Sequence, residues 1–342
     1  MKNMPNFFFL LSILCSFSCQ KNLTGVSKKP GTDTTTNSII STNSQSAHIK
    51  NPITATPVVK YKATAPIALT NVHDITISYD SITGGSRACI SLTNCRNIHI
   101  THCKLLNGSS FGVWTEGCVN IKVDSSYFYR VSSGVFAYSS QTIQVIANQF
   151  KNMQGPYPYG QFVQFNHVSG AGNCFINNRG DNVSGHSNAE DDVNVNASNG
   201  VATSPIMISG NWIRGGTSKT GGGIVLGDNG GSCQTAQNNI LVNTAAYGIG
   251  IADGTNMQII GNRIYGAQTP VSNVGIAVQD YYGIGCAMNT ITGNYVNWTN
   301  SAGVRNDGWN ANNCGIVTGW ANNTWNANIT ASILPAVIIT YK

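Results

Sequence analysis

The chain has 342 residues, of which 9% are charged and 37 are glycine, a balance that excludes a bundle of Glu-, Lys- and Leu-rich helices. Its formal charge of +6 would suit a polyanion, yet from Ala63 onward 12 Lys and Arg stand against 12 Asp and Glu. The excess lies in the first 62 residues, the remaining body is neutral, and a nucleic-acid partner, which needs a basic stripe on the folded surface, is not expected.

Lys2 is followed by Phe7-Phe8-Phe9-Leu10-Leu11-Ser12-Ile13-Leu14, too short to cross a bilayer and suited to the centre of a signal peptide. Residues 1–18 are therefore expected to direct export. The segment Ser16-Phe17-Ser18-Cys19 resembles a bacterial lipoprotein signal, although Phe17 departs from the small residues preferred there. The resemblance implies acylation of Cys19 and a place in the cell envelope, at the outer membrane or cell surface. Acyl chains at about 0.8 kcal/mol per buried methylene would hold such a protein on a membrane. Residues 19–62 are rich in Ser, Thr, Asn and Lys, with few large apolar side chains, and read as a flexible tether.

From residue 63 a pattern returns about once every 22 to 33 residues. A first pair of alternating residues, mostly apolar, runs Ile90/Leu92, Val113/Thr115, Val135/Ala137, Val163/Phe165, Val193/Val195, Ile224/Leu226, Ile249/Ile251 and Ile276/Val278. A second follows seven of the eight, all but Ile224/Leu226: Ile98/Ile100, Ile121/Val123, Ile143/Val145, Phe175 or Ile176, Ile206/Ile208, Ile259 near Met257, and Ile291 near Met288. Alternation of period two means strand. Short strands repeated between Gly, Asn and Ser cannot bury an apolar face alone and must stack. The expected fold is all-β, a single-stranded right-handed parallel β-helix over residues 63–296. Asn148, Asn211, Asn239, Asn262 and Asn294 recur just after the second strand, where amides can bond the bending backbone. Residues 297–342, with Trp298, Trp309, Trp320 and Trp325, are expected to form a C-terminal cap. Cys89, Cys95, Cys103 and Cys118 fall in successive early turns and Cys174, Cys233, Cys286 and Cys314 are scattered; none has zinc-site spacing, and buried free thiols are favoured over disulfides.

In-register stacking turns the outward positions into columns. The first runs Ser91, Trp114, Phe136, Gln164, Asn194, Val225, Gly250, Ala277; the second Thr93, Glu116, Tyr138, Asn166, Asn196, Gly227, Ala252, Gln279. The next runs Asn94, Gly117, Ser139, His167, Ala197, Asp228, Asp253, Asp280. Phe136 and Tyr138 offer apolar faces beside Gln164, Asn166, Asn194 and Asn196, a mixture that suits a sugar ring. Glu190-Asp191-Asp192, with Asp228 one turn on, is the densest acidic point; neighbouring carboxylates raise one another's pKa and supply an acid and a partner for glycoside hydrolysis. Such a cluster also suits calcium or turn capping.

The body resembles the right-handed β-helix superfamily that includes pectate lyases, polygalacturonases and alginate or chondroitin lyases. Asp191-Asp192-Val193-Asn194-Val195 followed by Gly222-Gly223-Ile224-Val225-Leu226-Gly227 is similar to the Asp-Asp and Gly-His-Gly segments of polygalacturonases. That resemblance carries over only onto Asp191 and Asp192: Gly222 stands where the family has histidine, Phe165-Asn166-His167 replaces Asn-Thr-Asp, and no Arg-x-Lys follows. For a lyase, Gln164, Asn166 or Asn194 would neutralise a uronate, His167 would be the base, and Tyr138, Tyr157 or Tyr159 the acid. Lys219 or Arg214, on the loop 214–219, would meet a substrate carboxylate. The expected function is cleavage of a uronide-containing polysaccharide by hydrolysis or β-elimination, with Asp191, Asp192, Asp228 and His167 catalytic. A non-catalytic glycan-binding or adhesion protein is the alternative.

Acylation at Cys19 has a direct consequence. The Cys19→Ala protein is expected to leave the membrane fraction; persistence in the membrane pellet would place the anchor elsewhere.

Overall fold

In the computed structural model, which describes residues 60–341, the chain winds through successive coils of three short strands. The expected signal, the expected lipidation site Cys19 and nearly all of the expected tether lie outside the described residues. Every pairing between named strands is parallel, one sheet holding 19 strands and the other 11. The larger sheet bends at a corner into two faces. The first face contains Val135–Tyr138, Val163–Asn166, Val193–Asn199 and Tyr247–Ile251, and the second contains Gln141–Ile146, Cys174–Ile176, Ile206–Ser209 and Gly254–Ile260. Among the described residues no helix is long and apolar enough to cross a membrane.

The register follows the sequence columns. Val163 pairs with Val193, Val193 with Ile224, Ile224 with Ile249 and Ile249 with Ile276, all fully buried. The third face, the 11-stranded sheet, has no counterpart in the sequence reading. Its strands, such as Tyr127–Tyr129, Gln149–Lys151, Trp212–Gly215 and Ile240–Val242, turn a single residue inward, here Phe128, Phe150, Ile213 and Leu241. One inward residue makes no alternation to read. Met288, expected to pair with Ile291, is instead an exposed corner residue with φ 57°.

The turn into the third face sets the main polar requirement. A left-handed residue, Ala147, Asn177, Gly210, Asn238, Gly261 or Gly293, precedes each of six buried asparagines, which together form a ladder. The backbone N–H of Asn178 donates to Asn211 Oδ1 at 2.9 Å, and Asn211 Nδ2 donates back to the Phe175 carbonyl at 2.9 Å and on to Asn239 Oδ1 at 2.9 Å. The same set recurs at Asn148, Asn239, Asn262 and Asn294. Asn178 and Asn323, which the sequence reading omitted, are rungs of it. In the early coils smaller groups take these places: Ser126 Oγ accepts from the Cys103 N–H, and at the other corner Cys118 Sγ accepts from the Cys95 N–H. Cys89, Cys95, Cys103, Cys118 and Cys174 are thus buried free thiols, and burial pushes Cys89 and Cys103 up to about 11. Cys286 and Cys314 correct the expectation for the scattered cysteines: they form a disulfide. Their 28-residue separation is one coil, so stacking brings together residues whose sequence spacing carries no pairing signal.

Coil strands continue past Asn297, with Gly308–Asn310 and Thr324–Trp325 joining the two sheets. Residues 333–341 then run back along the outside of the third face. Leu334 and Ile338 are buried against Val242, Trp212, Ile240 and Tyr265. Arg214 Nη1 donates to the Pro335 carbonyl at 3.2 Å, Thr340 N to Gln149 Oε1 at 2.7 Å, and the Tyr341 ring stacks on Tyr127 with centroids 4.9 Å apart.

Replacing a ladder residue tests this assignment. Asn211→Ala leaves the Asn178 N–H and the Phe175 carbonyl buried without partners. At about 1–3 kcal/mol for each such group, denaturant unfolding should show a loss of about 2–5 kcal/mol; a loss below about 0.5 kcal/mol would contradict the ladder's role.

Candidate active site on the first face

The outer side of the first face carries a cleft of about 670 Å³. Its floor is the first outward column in the predicted register: Phe136, Gln164, Asn194, Val225, Gly250 and Ala277, each hydrogen-bonded to the next coil. Trp114 stacks on Phe136 at 4.9 Å, and Tyr159, from the loop 154–160, meets Phe111 and Phe136 edge-on. One wall is Glu190, Asp191, Thr220 and Tyr247, and the other is Asp228, Asn229, Tyr281 and Tyr282.

The second column shifts by one residue. Asn194 pairs with Val225, but Asn196 pairs with Asp228, so the expected partner Gly227 is an extra residue in the later strand. Gly227 has φ 65°, a conformation open to glycine, and a Cβ there would lie 1.9 Å from the Asp253 carbonyl oxygen. This β-bulge re-aims a side chain, as bulges beside functional sites do. It moves Asp228 out of the corner column and against the amides: Asn194 Nδ2 and Asn196 Nδ2 donate to Asp228 Oδ2 at 2.9 and 2.8 Å, and the Tyr282 hydroxyl donates to Oδ1 at 2.8 Å.

Asp191, Gly222 and Tyr247 occupy the same point of three successive coils, two residues before the paired Val193, Ile224 and Ile249. With no side chain on Gly222, the Tyr247 ring fills the space; a Cβ on Gly222 would meet that ring at 2.6 Å. The Tyr247 hydroxyl and the Gly222 N–H donate to Asp191 Oδ1, and Asn194 Nδ2 donates to Asp191 Oδ2 at 3.0 Å. Burial nevertheless raises the Asp191 carboxyl to about 6, against those three hydrogen bonds. Burial and the adjacent Asp191 raise Tyr247 well above its ordinary range. Glu190 is held by the hydroxyls of Ser218 and Thr220 at 2.6 and 2.5 Å.

Other expected site residues fall elsewhere. Asp192 points into the interior, 1% exposed, with Asn182 Nδ2 at 2.7 Å from Oδ1. Strand alternation does not extend past Val193, because the chain turns a corner there and two successive side chains face inward. Burial drives Asp192 well above the carboxylate range. His167 belongs to the corner column, where Asn94, Gly117, Ser139, His167 and Ala197 all have φ between 44° and 62°. It is exposed, edge-on to Tyr138, and Tyr138 too lies outside the cleft. Lys219 is exposed on its loop and does not line the cleft. Arg214 is bound to Asp181 on the third face. Phe136, Gln164, Asn166, Asn194, Asn196, Asp191 and Asp228 are brought together. Tyr247 and Tyr282 were missed: neither repeats a column residue, and the sequence signal for Tyr247 was the space left by Gly222 and Gly250.

Calcium does not fit this cluster. The oxygens of Asp191 and Asp228 face N–H and O–H donors, and among the described residues no group of three or more His, Cys, Asp or Glu is arranged to hold a metal ion.

Residues 22–178 match the family model of the right handed beta helix region. That match covers just under half of the chain, and the fold is that of a right-handed parallel β-helix. Two solved structures are among those that the chain resembles. PfbA, a surface adhesin of Streptococcus pneumoniae, is 14% identical with a TM-score of 0.47, over 62% of this chain and 58% of that one. A double mutant of the periplasmic alginate epimerase AlgG is 10% identical with a TM-score of 0.42, over 76% of this chain and 73% of its own. No curated protein matches the sequence.

The Asp191 environment predicts a pH effect on the β-helix. A carboxyl raised from 3.8 to about 6 keeps its proton in the folded state after the unfolded chain has lost it. Its stabilising contribution is complete below pH 3.8 and is lost as pH rises through 6. The stability of the parent relative to Asp191→Asn should therefore fall by about 2 kcal/mol between pH 4 and pH 7, read by urea unfolding. A flat difference would mean that Asp191 is not shifted.

Proposed function

We propose that this protein is an exported glycoside hydrolase acting on a polysaccharide, with Asp191 as general acid and Asp228 as nucleophile. The observation that carries the reading is the bridge through Asn194, whose one nitrogen lies 3.0 Å from Asp191 Oδ2 and 2.9 Å from Asp228 Oδ2. The two oxygens are then no more than about 6 Å apart, under the roughly 6.5–9.5 Å that inversion requires and compatible with the roughly 5–5.5 Å of retention. Export accords with the signal-like N-terminus and with the Cys286–Cys314 disulfide, since such bonds persist in oxidising compartments.

The environments of the two carboxyls suit different roles. Near pH 6 a large fraction of Asp191 carries a proton, which it gives to the departing glycosidic oxygen. Asp228, held in place by two amides and a hydroxyl, attacks the anomeric carbon with an oxygen as the C–O bond to the leaving group breaks. A glycosyl ester results. Asp191, now a carboxylate, takes a proton from water, the water oxygen attacks the anomeric carbon, and the ester bond returns its electron pair to Asp228. Asp191 has its proton again and Asp228 is again a free carboxylate. His167, outside the cleft, is poorly placed to be the base of a β-elimination.

A glycan-binding role without cleavage is favoured by one observation, the saturation of Asp191 by Tyr247, Gly222 and Asn194. The two readings separate on a polysaccharide panel followed by reducing ends and by absorbance near 235 nm. On a cleaved glycan, Asp191→Asn and Asp228→Asn should each lose about 10²–10⁴-fold in kcat, while His167→Ala and Lys219→Ala stay within about threefold. The first-formed anomer, followed by NMR, should keep the substrate's configuration. Absorbance at 235 nm without hydrolysis would mean a lyase, and binding without any cleavage would move the protein to the binding class.

A further inference from the structure

The floor of the cleft contains two buried acceptors without partners. Gln164 Oε1 and Asn194 Oδ1 lie on paired residues of adjacent coils, in side chains 8% and 5% exposed, and neither receives a hydrogen bond. Asn194 cannot turn its amide over, because its nitrogen already donates to two carboxylates. Its oxygen therefore remains an acceptor, buried at the floor of the cleft. A buried acceptor left unpaired is costly, and a ligand bearing donors would relieve it.

Charge points the same way. Glu190, Asp191 and Asp228 line the cleft, and no Lys or Arg does. An anionic sugar would have to bring its carboxylate among three carboxyls and two orphan carbonyl-type oxygens with no cation to offset it, whereas a hydroxyl donates to such oxygens directly. Phe136, with Trp114 stacked on it and Tyr159 edge-on, offers the aromatic plate that the less polar face of a pyranose covers.

From these features we infer that the cleft selects an uncharged, hydroxyl-bearing glycan, and that Gln164 and Asn194 are specificity residues accepting hydrogen bonds from its hydroxyls. This rests on the glycan reading above and replaces the uronide expected from the sequence resemblance. Loop cations at Lys219 and Arg214, the residues assigned to a uronate, stand away from the site.

The test uses the residue 20–342 protein and oligosaccharides that differ only in charge: fully methyl-esterified homogalacturonan oligomers and the same oligomers de-esterified, together with neutral glucan, mannan and galactan oligomers. Calorimetric affinity should favour a neutral member over the de-esterified acid by at least tenfold, and Gln164→Leu should weaken that neutral ligand by at least tenfold while its circular dichroism and melting curve match the parent. Preferential binding of the de-esterified acid would overturn this inference and leave the glycan reading in place. Equal affinity for the esterified and acid forms, or an unaltered affinity in Gln164→Leu, would also overturn it. Failure to bind any glycan would overturn both.

Discussion

The structure depends on one constraint: each coil must satisfy, in its neighbour, the backbone groups that its own corners leave unpaired. A strand can hand its N–H and C=O groups to the coils on either side, but a buried bend cannot, because its backbone leaves the ladder direction. Asparagine solves this in a side chain that both accepts and donates. The ladder from Asn148 to Asn323 accepts from one backbone N–H and donates to one carbonyl at nearly every rung. A left-handed residue before each asparagine from Asn148 to Asn294 makes the bend.

From that constraint the cleft follows. Because register is held at every corner, a side chain on one coil lies a strand spacing from its counterpart on the next, and chemistry assembles by substitution at a fixed point of the repeat. Asp191, Gly222 and Tyr247 are such a series: acid, gap, and the ring that closes the gap. Asn194 and Asn196 are another, and the bulge at Gly227 brings Asp228 to them. The rigid floor that keeps Asn194 between two carboxylates also denies its oxygen a partner. The same positioning thus sets both the carboxylate pair and the unpartnered acceptor.

The columns explain how much could be read in advance. Val193, Ile224, Ile249 and Ile276, and the outer line from Trp114 to Ala277, were legible because paired apolar residues at alternate positions fix both face and register. The third face was not, since strands such as Gln149–Lys151 turn one residue inward. Within the site, Gln164, Asn166, Asn194 and Asn196 were legible from their columns, and Asp191 from the acidic run Glu190-Asp191-Asp192. Asp192 was misassigned because it lies past the point where alternation holds, His167 because a corner residue was counted as part of a strand, and the exact column of Asp228 because a one-residue bulge leaves no mark in composition beyond a glycine. Tyr247 depends on an empty space one coil away, a relation between residues 25 apart that no local pattern contains.

The returning C-terminal segment changes what kind of polymer this is. A stack of units touching only their neighbours behaves as a linear chain of switches, able to fray from either end. Here residues 333–341 fasten Tyr265 and Val242 near one end to Gln149 and Tyr127 toward the other, so the coils carrying the cleft lie between two points of a closed circuit. Opening any one of them strains a tether that spans them all. The molecule should therefore melt as a unit, with the coils that carry the cleft sharing the stability of the whole rather than that of their nearest neighbours.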